Sequence, residues 1–173
     1  MNSQFTITTL ANEPQVVLAL ADILMEVVAN GGSVSFMHPL SPEVATAFWE
    51  TSLAAAARGE RLVLGALADG KIIGTVTLLL DSPPNQPHRA EIAKMMTRLS
   101  HRGQGVARSL LLVAEGLALD HGRTLLTLDT AAEEGAAGFY EKLGYQKGGL
   151  IPDYALKPHG GLTGTVIYYK RML

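Results

Sequence analysis

Between Ser100 and Leu111 the chain reads SHRGQGVARSLL, an arginine followed by Gly-Gln-Gly directly before a run with helical apolar spacing. Two glycines weaken a helix start unless the backbone needs left-handed dihedrals or a ligand must come close. A strand, a glycine turn and a helix in succession gather free N–H groups and the positive end of the helix dipole at one point, which suits a phosphate. Gly103 and Gly105 carry no Cβ to hold an anion away from those amides. Each charge-assisted hydrogen bond there is worth roughly 1.5–3 kcal/mol. Lys94, Arg98, Arg102 and Arg108 fall within residues 94–108 with no acid among them, so the local field also favours an anion. The stretch is not a P-loop, because no Lys-Ser or Lys-Thr follows, and Arg108 stands where a dinucleotide fingerprint needs its third small residue.

Three further side chains can do chemistry. Glu91 and Asp129 each sit in an otherwise apolar stretch, Ala90-Glu91-Ile92-Ala93 and Leu128-Asp129-Thr130. If the two stretches are neighbouring strands, their carboxylates face one cleft; the structural alternative is pairing with Arg89, Lys94 or Arg123. Tyr140 follows Phe139 at a spacing that also suits two core aromatics. There is no cysteine, which removes thiolate ligands, disulfides and a Cys acyl-enzyme together. The five histidines lack metal-ligand spacing, so no metal is expected.

The elements that must position these groups are readable from periodicity. Gln4–Leu10 alternates as a strand. Asn12 and Pro14 open a helix carrying Val16, Leu20, Ile23 and Val27, and Ser41-Pro42 opens a second carrying Val44, Phe48 and Trp49. Arg61–Ala68 and Lys71–Leu80, joined by Asp69-Gly70, form a hairpin. Ala90–Leu99 reads as a strand, and a helix from Gly105 runs through Val106, Leu110, Val113 and Leu117. Leu125–Thr130 is a short strand and Glu133–Leu143 a helix. Tyr145–Ile151 and Thr163–Arg171 are the last strands, separated by a loop with Pro152, Pro158 and Gly160-Gly161. This order indicates a single α/β domain over residues 1–173 with a mixed sheet.

Composition bounds the partners. The 173 residues are 47% hydrophobic and 17% charged with a net charge of −2, as for a globular chain without bulk affinity for nucleic acid or anionic lipid. No run of 18 apolar residues exists and the N-terminus lacks a signal-peptide pattern, so a cytoplasmic protein with no membrane partner is expected.

Arg102-Gly103-Gln104-Gly105-Val106-Ala107 resembles the (Q/R)xxGx(G/A) signature of the GNAT superfamily of N-acetyltransferases, and Phe139-Tyr140-Glu141-Lys142-Leu143-Gly144-Tyr145 is similar to that family's FYxxxGF/Y segment. Gly31–Met37, Arg89-Ala90-Glu91, Leu126–Thr130 and Ile151–Ala155 are similar to segments of small-molecule acetyltransferases of the tabtoxin-resistance type. The resemblance implies a GNAT fold: a central mixed, mostly antiparallel twisted sheet of about seven strands, four helices, and a splayed parallel strand pair in the middle. It implies acetyl-CoA as co-substrate, held by Met96, Thr97, Arg98, Arg102, Gly103, Gln104, Gly105, Val106, Ala107 and Arg108. It implies direct acetyl transfer to the amine of a small molecule, as in detoxification of an antibiotic or toxin. Glu91 and Asp129 then compete for the base or substrate-binding role, and Tyr140 receives the departing thiolate. Ser33, Ser35, Phe36, Asp153 and Tyr154 would rim the acceptor site, and a homodimer would form through the C-terminal strands, with Thr163–Arg171 as the exposed edge. Alternative readings are a protein N-terminus or lysine acetyltransferase, a non-catalytic acyl-CoA-binding regulator and, more distantly, a dinucleotide oxidoreductase.

Overall fold

The computed structural model describes residues 4–133 and 136–172. Along the chain run β1 (Thr6–Thr9), α1 (Pro14–Ala29), α2 (Pro42–Ala57), β2 (Arg61–Ala68), β3 (Lys71–Leu79), β4 (Arg89–Thr97), α3 (Val106–Asp120), β5 (Leu125–Ala131), α4 (Ala137–Lys142), β6 (Gln146–Leu156) and β7 (Leu162–Arg171). A short 3-10 turn, Leu99–His101, follows β4. The strands form one sheet in the order β1-β2-β3-β4-β5-β7-β6, and among the described residues only β4 and β5 are parallel neighbours.

Local signals explain most elements. Asp69 and Gly70 take φ of 49° and 73°, the two left-handed residues that a two-residue hairpin needs. Ser41 caps α2 by accepting the Val44 N–H at 3.3 Å. Helix phase departs from expectation in two places. Val44 is half exposed because Ala45, Trp49, Ser52 and Leu53 form the inner face of α2. Val113 is exposed because Leu110, Leu111, Ala114 and Ala118 form that of α3. The helix expected from Glu133 begins at Ala137, with Glu133 in a turn and residues 134–135 outside those described.

Two apolar cores lie on opposite faces of the sheet. On one face α1 and α2 pack Leu20, Leu24, Val28, Trp49 and Leu53 with Val63 and Met96. On the other, α3 packs Leu110, Leu111 and Ala114 with Leu64, Val76, Leu78, Ile92, Leu126 and Tyr168. A bulge in β4 governs what happens between them. The β3 register moves from Thr77 opposite Ala93 to Thr75 opposite Met96, so β4 carries an extra residue, and Lys94 adopts φ of 51°. Ala90 and Ile92 face the α3 core before the bulge, whereas Met96 faces the α1–α2 core after it.

Pairing of β4 with β5 covers only Arg89–Glu91 against Leu125–Thr127, and beyond it the strands diverge. The splayed parallel pair is thus present at the centre of the sheet.

The C-terminal strands correct two expectations. Strand β6 runs on through Pro152, accommodating it at a bulge between Ile151 and Ala155 where Asp153 has φ of 51°. Strand β7 is hydrogen-bonded to both β5 and β6, so the sheet edge is β6 rather than Thr163–Arg171.

Candidate active site

The divergence of β4 and β5 opens a cavity of about 740 Å³ lined from both layers of the fold. One end is the start of α3. Gly103 and Gly105 have φ of 73° and 82°, conformations costly for any other residue, and a Cβ at either would meet open space. No side chain caps α3, so the N–H groups of Val106, Ala107 and Arg108 are left without helical partners beside the cavity. Arg102 and Arg108 also line it. Uncapped amides, open glycines and two arginines fit a pyrophosphate well.

The helix reaches this position because of a glycine that sequence reasoning passed over. A Cβ on Gly74 of β3 would approach Val106 Cγ1 to 2.8 Å and the Met96 carbonyl oxygen to 3.1 Å. Its absence lets the first turn of α3 seat against the sheet beside the splay. The only sequence signal was a glycine inside a strand, which marks close approach of another element.

Met96 and Thr97 line the cavity, as do Gly103, Gly105, Val106 and Ala107. Gln104 instead donates to the Ser100 carbonyl at 3.2 Å and braces the turn. Arg98 is turned away: its guanidinium pairs with Asp22 at 2.8 Å and Glu26 at 3.1 Å, both on α1, and donates to the Ile72 carbonyl. Glu26 also accepts the Leu99 N–H, so this cluster clamps the end of β4 to α1.

Glu91 and Asp129 both line the cavity, on the face of the sheet opposite α3. Glu91 is opposite Leu79 and Thr127 in the ladder, with Arg89 3.6 Å from its carboxylate. Asp129 lies just past the last β4–β5 pair and accepts the Thr165 hydroxyl at 3.0 Å.

Tyr140 lines the same cavity from the other face, packed among Phe139, Tyr145 and Tyr168. Burial, and to a lesser degree the Asp129 charge, pushes its phenol up to about 12. A thiol has a pKa near ~8.5, so outright protonation of a thiolate by this phenol is uphill. What Tyr140 offers a departing sulfur is a donated hydrogen bond.

Ser33 and Ser35, just beyond α1, line the cavity. Phe36 stands behind them, edge-on to Phe48 at 5.2 Å. Asp153 and Tyr154 lie in the β6 bulge and are not part of the cavity wall. Lys94, noted in the sequence only as one of a group of cations, does line it and donates to Ser35 Oγ at 3.1 Å. The signal that would have singled it out was the break in alternation at Ala93-Lys94-Met95. Among the described residues no three His, Asp or Glu side chains gather as a metal would require, and no helix is long and apolar enough to cross a membrane.

Comparison with known proteins agrees with this geometry. The model of the acetyltransferase (GNAT) family matches residues 29–145. N-acetyltransferase 8B of Homo sapiens is 34% identical over 86 residues, 49% of this chain and 38% of that protein, so the chain spans well under half the length of this relative. Ribosomal-protein-alanine N-acetyltransferase from Brucella melitensis superposes with a TM-score of 0.82 at 19% identity, covering 96% of this chain and 99% of the other. A GNAT superfamily phosphinothricin acetyltransferase from Sinorhizobium meliloti, solved with acetyl-CoA, gives 0.81 at 19% identity over 98% and 89%.

Proposed function

Because this chain belongs to the GNAT acetyltransferase family, we propose that it transfers acetyl from acetyl-CoA to the amine of a small molecule by direct attack. The observation that carries the reading is the placement of Glu91 and Asp129 on one face of the splay and Tyr140 on the other, with the uncapped start of α3 beside them.

When bound, acetyl-CoA supplies a thioester whose carbonyl carbon the amine attacks and whose thiolate leaves. In this reading the N–H groups of Val106 to Arg108, with Arg102 and Arg108, hold the pyrophosphate. Met96 and Thr97, the last residues of the diverging β4, line the cavity where they would border the pantetheine chain. On the acceptor face, Glu91 and Asp129 hold the incoming ammonium and take one proton from it, directly or through water, which frees the lone pair that forms the N–C bond. The nitrogen's second proton passes to water as the thiolate leaves. General-base action of this kind contributes ~10²–10⁴ in rate. On the far face, as the C–S bond breaks, Tyr140 donates a hydrogen bond to the sulfur. The absence of cysteine fits direct attack, since no Cys acyl-enzyme can form.

The small size of the acceptor is supported by the similarity of several segments to acetyltransferases of the tabtoxin-resistance type. The fold is shared equally with a ribosomal-protein-alanine and a phosphinothricin acetyltransferase and favours neither acceptor. Detoxification of an antibiotic or toxin in the cytoplasm is the matching role. Should two chains associate through the C-terminal strands, β6 is the edge they would pair, β1 being the other edge of the sheet.

The test is thiol release from acetyl-CoA with tabtoxinine-type amino acids, aminoglycosides, polyamines and lysine peptides. Release with a small amine, lost in Glu91→Gln and Asp129→Asn, supports the assignment. Turnover of peptides alone would replace it with a protein acetyltransferase. Tight acetyl-CoA binding with no acceptor turned over would favour a regulator.

A further inference from the structure

We propose that Lys94 anchors an acidic group of the acceptor, so that the enzyme selects small zwitterions: amines that also carry a carboxylate. The inference rests on the amine-acceptor reading above and deepens it.

Strand alternation by itself would bury Lys94 on the α3 side, in phase with Ala90 and Ile92. The bulge instead carries its side chain to the α1–α2 side, where Nζ donates to Ser35 Oγ at 3.1 Å and lies 5.7 Å from the centre of the Phe48 ring. Ser35 has φ of 76° and Lys94 φ of 51°, so left-handed residues stand on both sides of this contact. A non-glycine residue pays conformational energy for such a backbone, and two of them meeting at one hydrogen bond indicate a position that is held.

An ammonium has three donors, and this one uses one on a neutral hydroxyl. Among the described residues no carboxylate is close enough to pair with it. It is half-buried at the wall of the reaction cavity. A cation so placed is left for an anion that arrives with a ligand. Its burial lowers its pKa, while Asp129 and Glu91, acting at longer range, oppose that lowering.

The acids on the same face complete the pattern. Glu91 is partly offset by Arg89 at 3.6 Å, whereas among the described residues Asp129 forms no ion pair and accepts the Thr165 hydroxyl. That leaves one negative and one positive group facing the acceptor compartment, complementary to an ammonium and a carboxylate on one small molecule. Coenzyme A phosphates are the other anions available to Lys94, but the α3 turn already has its own amides and arginines for them.

The experiment compares acetylation of a series of amino acids with that of their carboxamides, by wild type, Lys94→Gln and Lys94→Arg. Wild type should prefer the acids. Lys94→Gln should raise KM for the acids by roughly 10- to 100-fold, the worth of a charge-assisted hydrogen bond. It should leave KM for the carboxamides and for acetyl-CoA unchanged, and Lys94→Arg should restore much of the preference. Equal use of acids and carboxamides by wild type, or a rise confined to KM for acetyl-CoA, would overturn the assignment while the amine-acceptor reading stands. If neither series releases thiol, the amine-acceptor reading is decided by the aminoglycosides and polyamines above, and calorimetric binding of the same acids and carboxamides decides Lys94 separately. Acid-selective binding by wild type but not Lys94→Gln then supports the anchor, and unselective or absent binding overturns it.

Discussion

The Thr165 hydroxyl donates to Asp129 Oδ2 at 3.0 Å and, at 3.2 Å, to the Thr130 carbonyl, tying a carboxylate of the cavity wall to the neighbouring strand. The hydroxyl fixes where the carboxylate points just past the place where β4 and β5 part. Thr165→Val keeps the shape and removes the donor. It should lower kcat severalfold without altering KM for acetyl-CoA. Asp129→Asn should cost ~10²-fold or more if Asp129 takes the proton. Steady-state thiol release checks both, and equal rates for wild type and Asp129→Asn would move the base to Glu91 or to water.

Gly105 begins α3 at φ of 82°. Gly105→Ala has room for its methyl group but forces a left-handed alanine, a cost of roughly 1–2 kcal/mol. The turn should relax and its amides swing out of line, raising KM for acetyl-CoA about tenfold. Gly74→Ala should do the same by a different route, pushing Val106 and the first turn of α3 off the sheet. Calorimetric titration with coenzyme A reads both variants.

Tyr140 provides a test in alkaline solution. Its phenol is pushed up to about 12, chiefly by burial and then by the Asp129 charge, whereas an unfolded tyrosine ionises near ~10. A raised folded pKa contributes stability that is fully present below the unfolded value and is lost as pH rises through the folded one. Thermal stability should therefore fall between pH ~10 and about 12, and less steeply in Tyr140→Phe. The same variant should lose roughly tenfold in kcat, for want of the hydrogen bond to sulfur. Melting curves across that pH range and tyrosinate absorbance check the first expectation.

Arg98 separates a clamp from a ligand. Its guanidinium joins Asp22 and Glu26 of α1 to the end of β4. Asp22 is largely exposed, so Arg98→Met should cost only about 1–2 kcal/mol in urea denaturation. KM for acetyl-CoA should change far less than in Arg102→Met or Arg108→Met. A larger effect at Arg98 than at those two would return it to the cofactor site.

Lys94 bears on stability as well as on selectivity. A half-buried ammonium without a nearby carboxylate disfavours the folded state, as its lowered pKa also indicates. Lys94→Met should therefore raise the Tm of the ligand-free protein by about 1–3 °C. Scanning calorimetry measures this directly, and a lower Tm would mean that the Ser35 and Phe48 contacts outweigh the burial of charge.

The sequence by itself determined the elements and one half of the site. Periodicity, a Ser cap and an Asp-Gly turn are local signals, each encoded within a few residues, and they set α1, α2 and the β2–β3 hairpin near their observed bounds. The Gly103–Gly105 turn was legible for the same reason, since a left-handed helix start depends on the residue at that position alone. Only the tertiary structure decided which way side chains face where strands slip or part. Lys94 changes face because β4 has one more residue than β3 at the bulge; the broken alternation at Ala93-Lys94-Met95 marks the place, but the face is set by the register with β3. Arg98 looks like a cation of the anion turn until α1 brings Asp22 and Glu26 against it from more than 70 residues away. Asp153 and Tyr154 leave the site because β6 absorbs Pro152 in a bulge, and β7 is no edge because β6 pairs outside it. These outcomes depend on pairing between distant segments, for which a linear pattern carries no register.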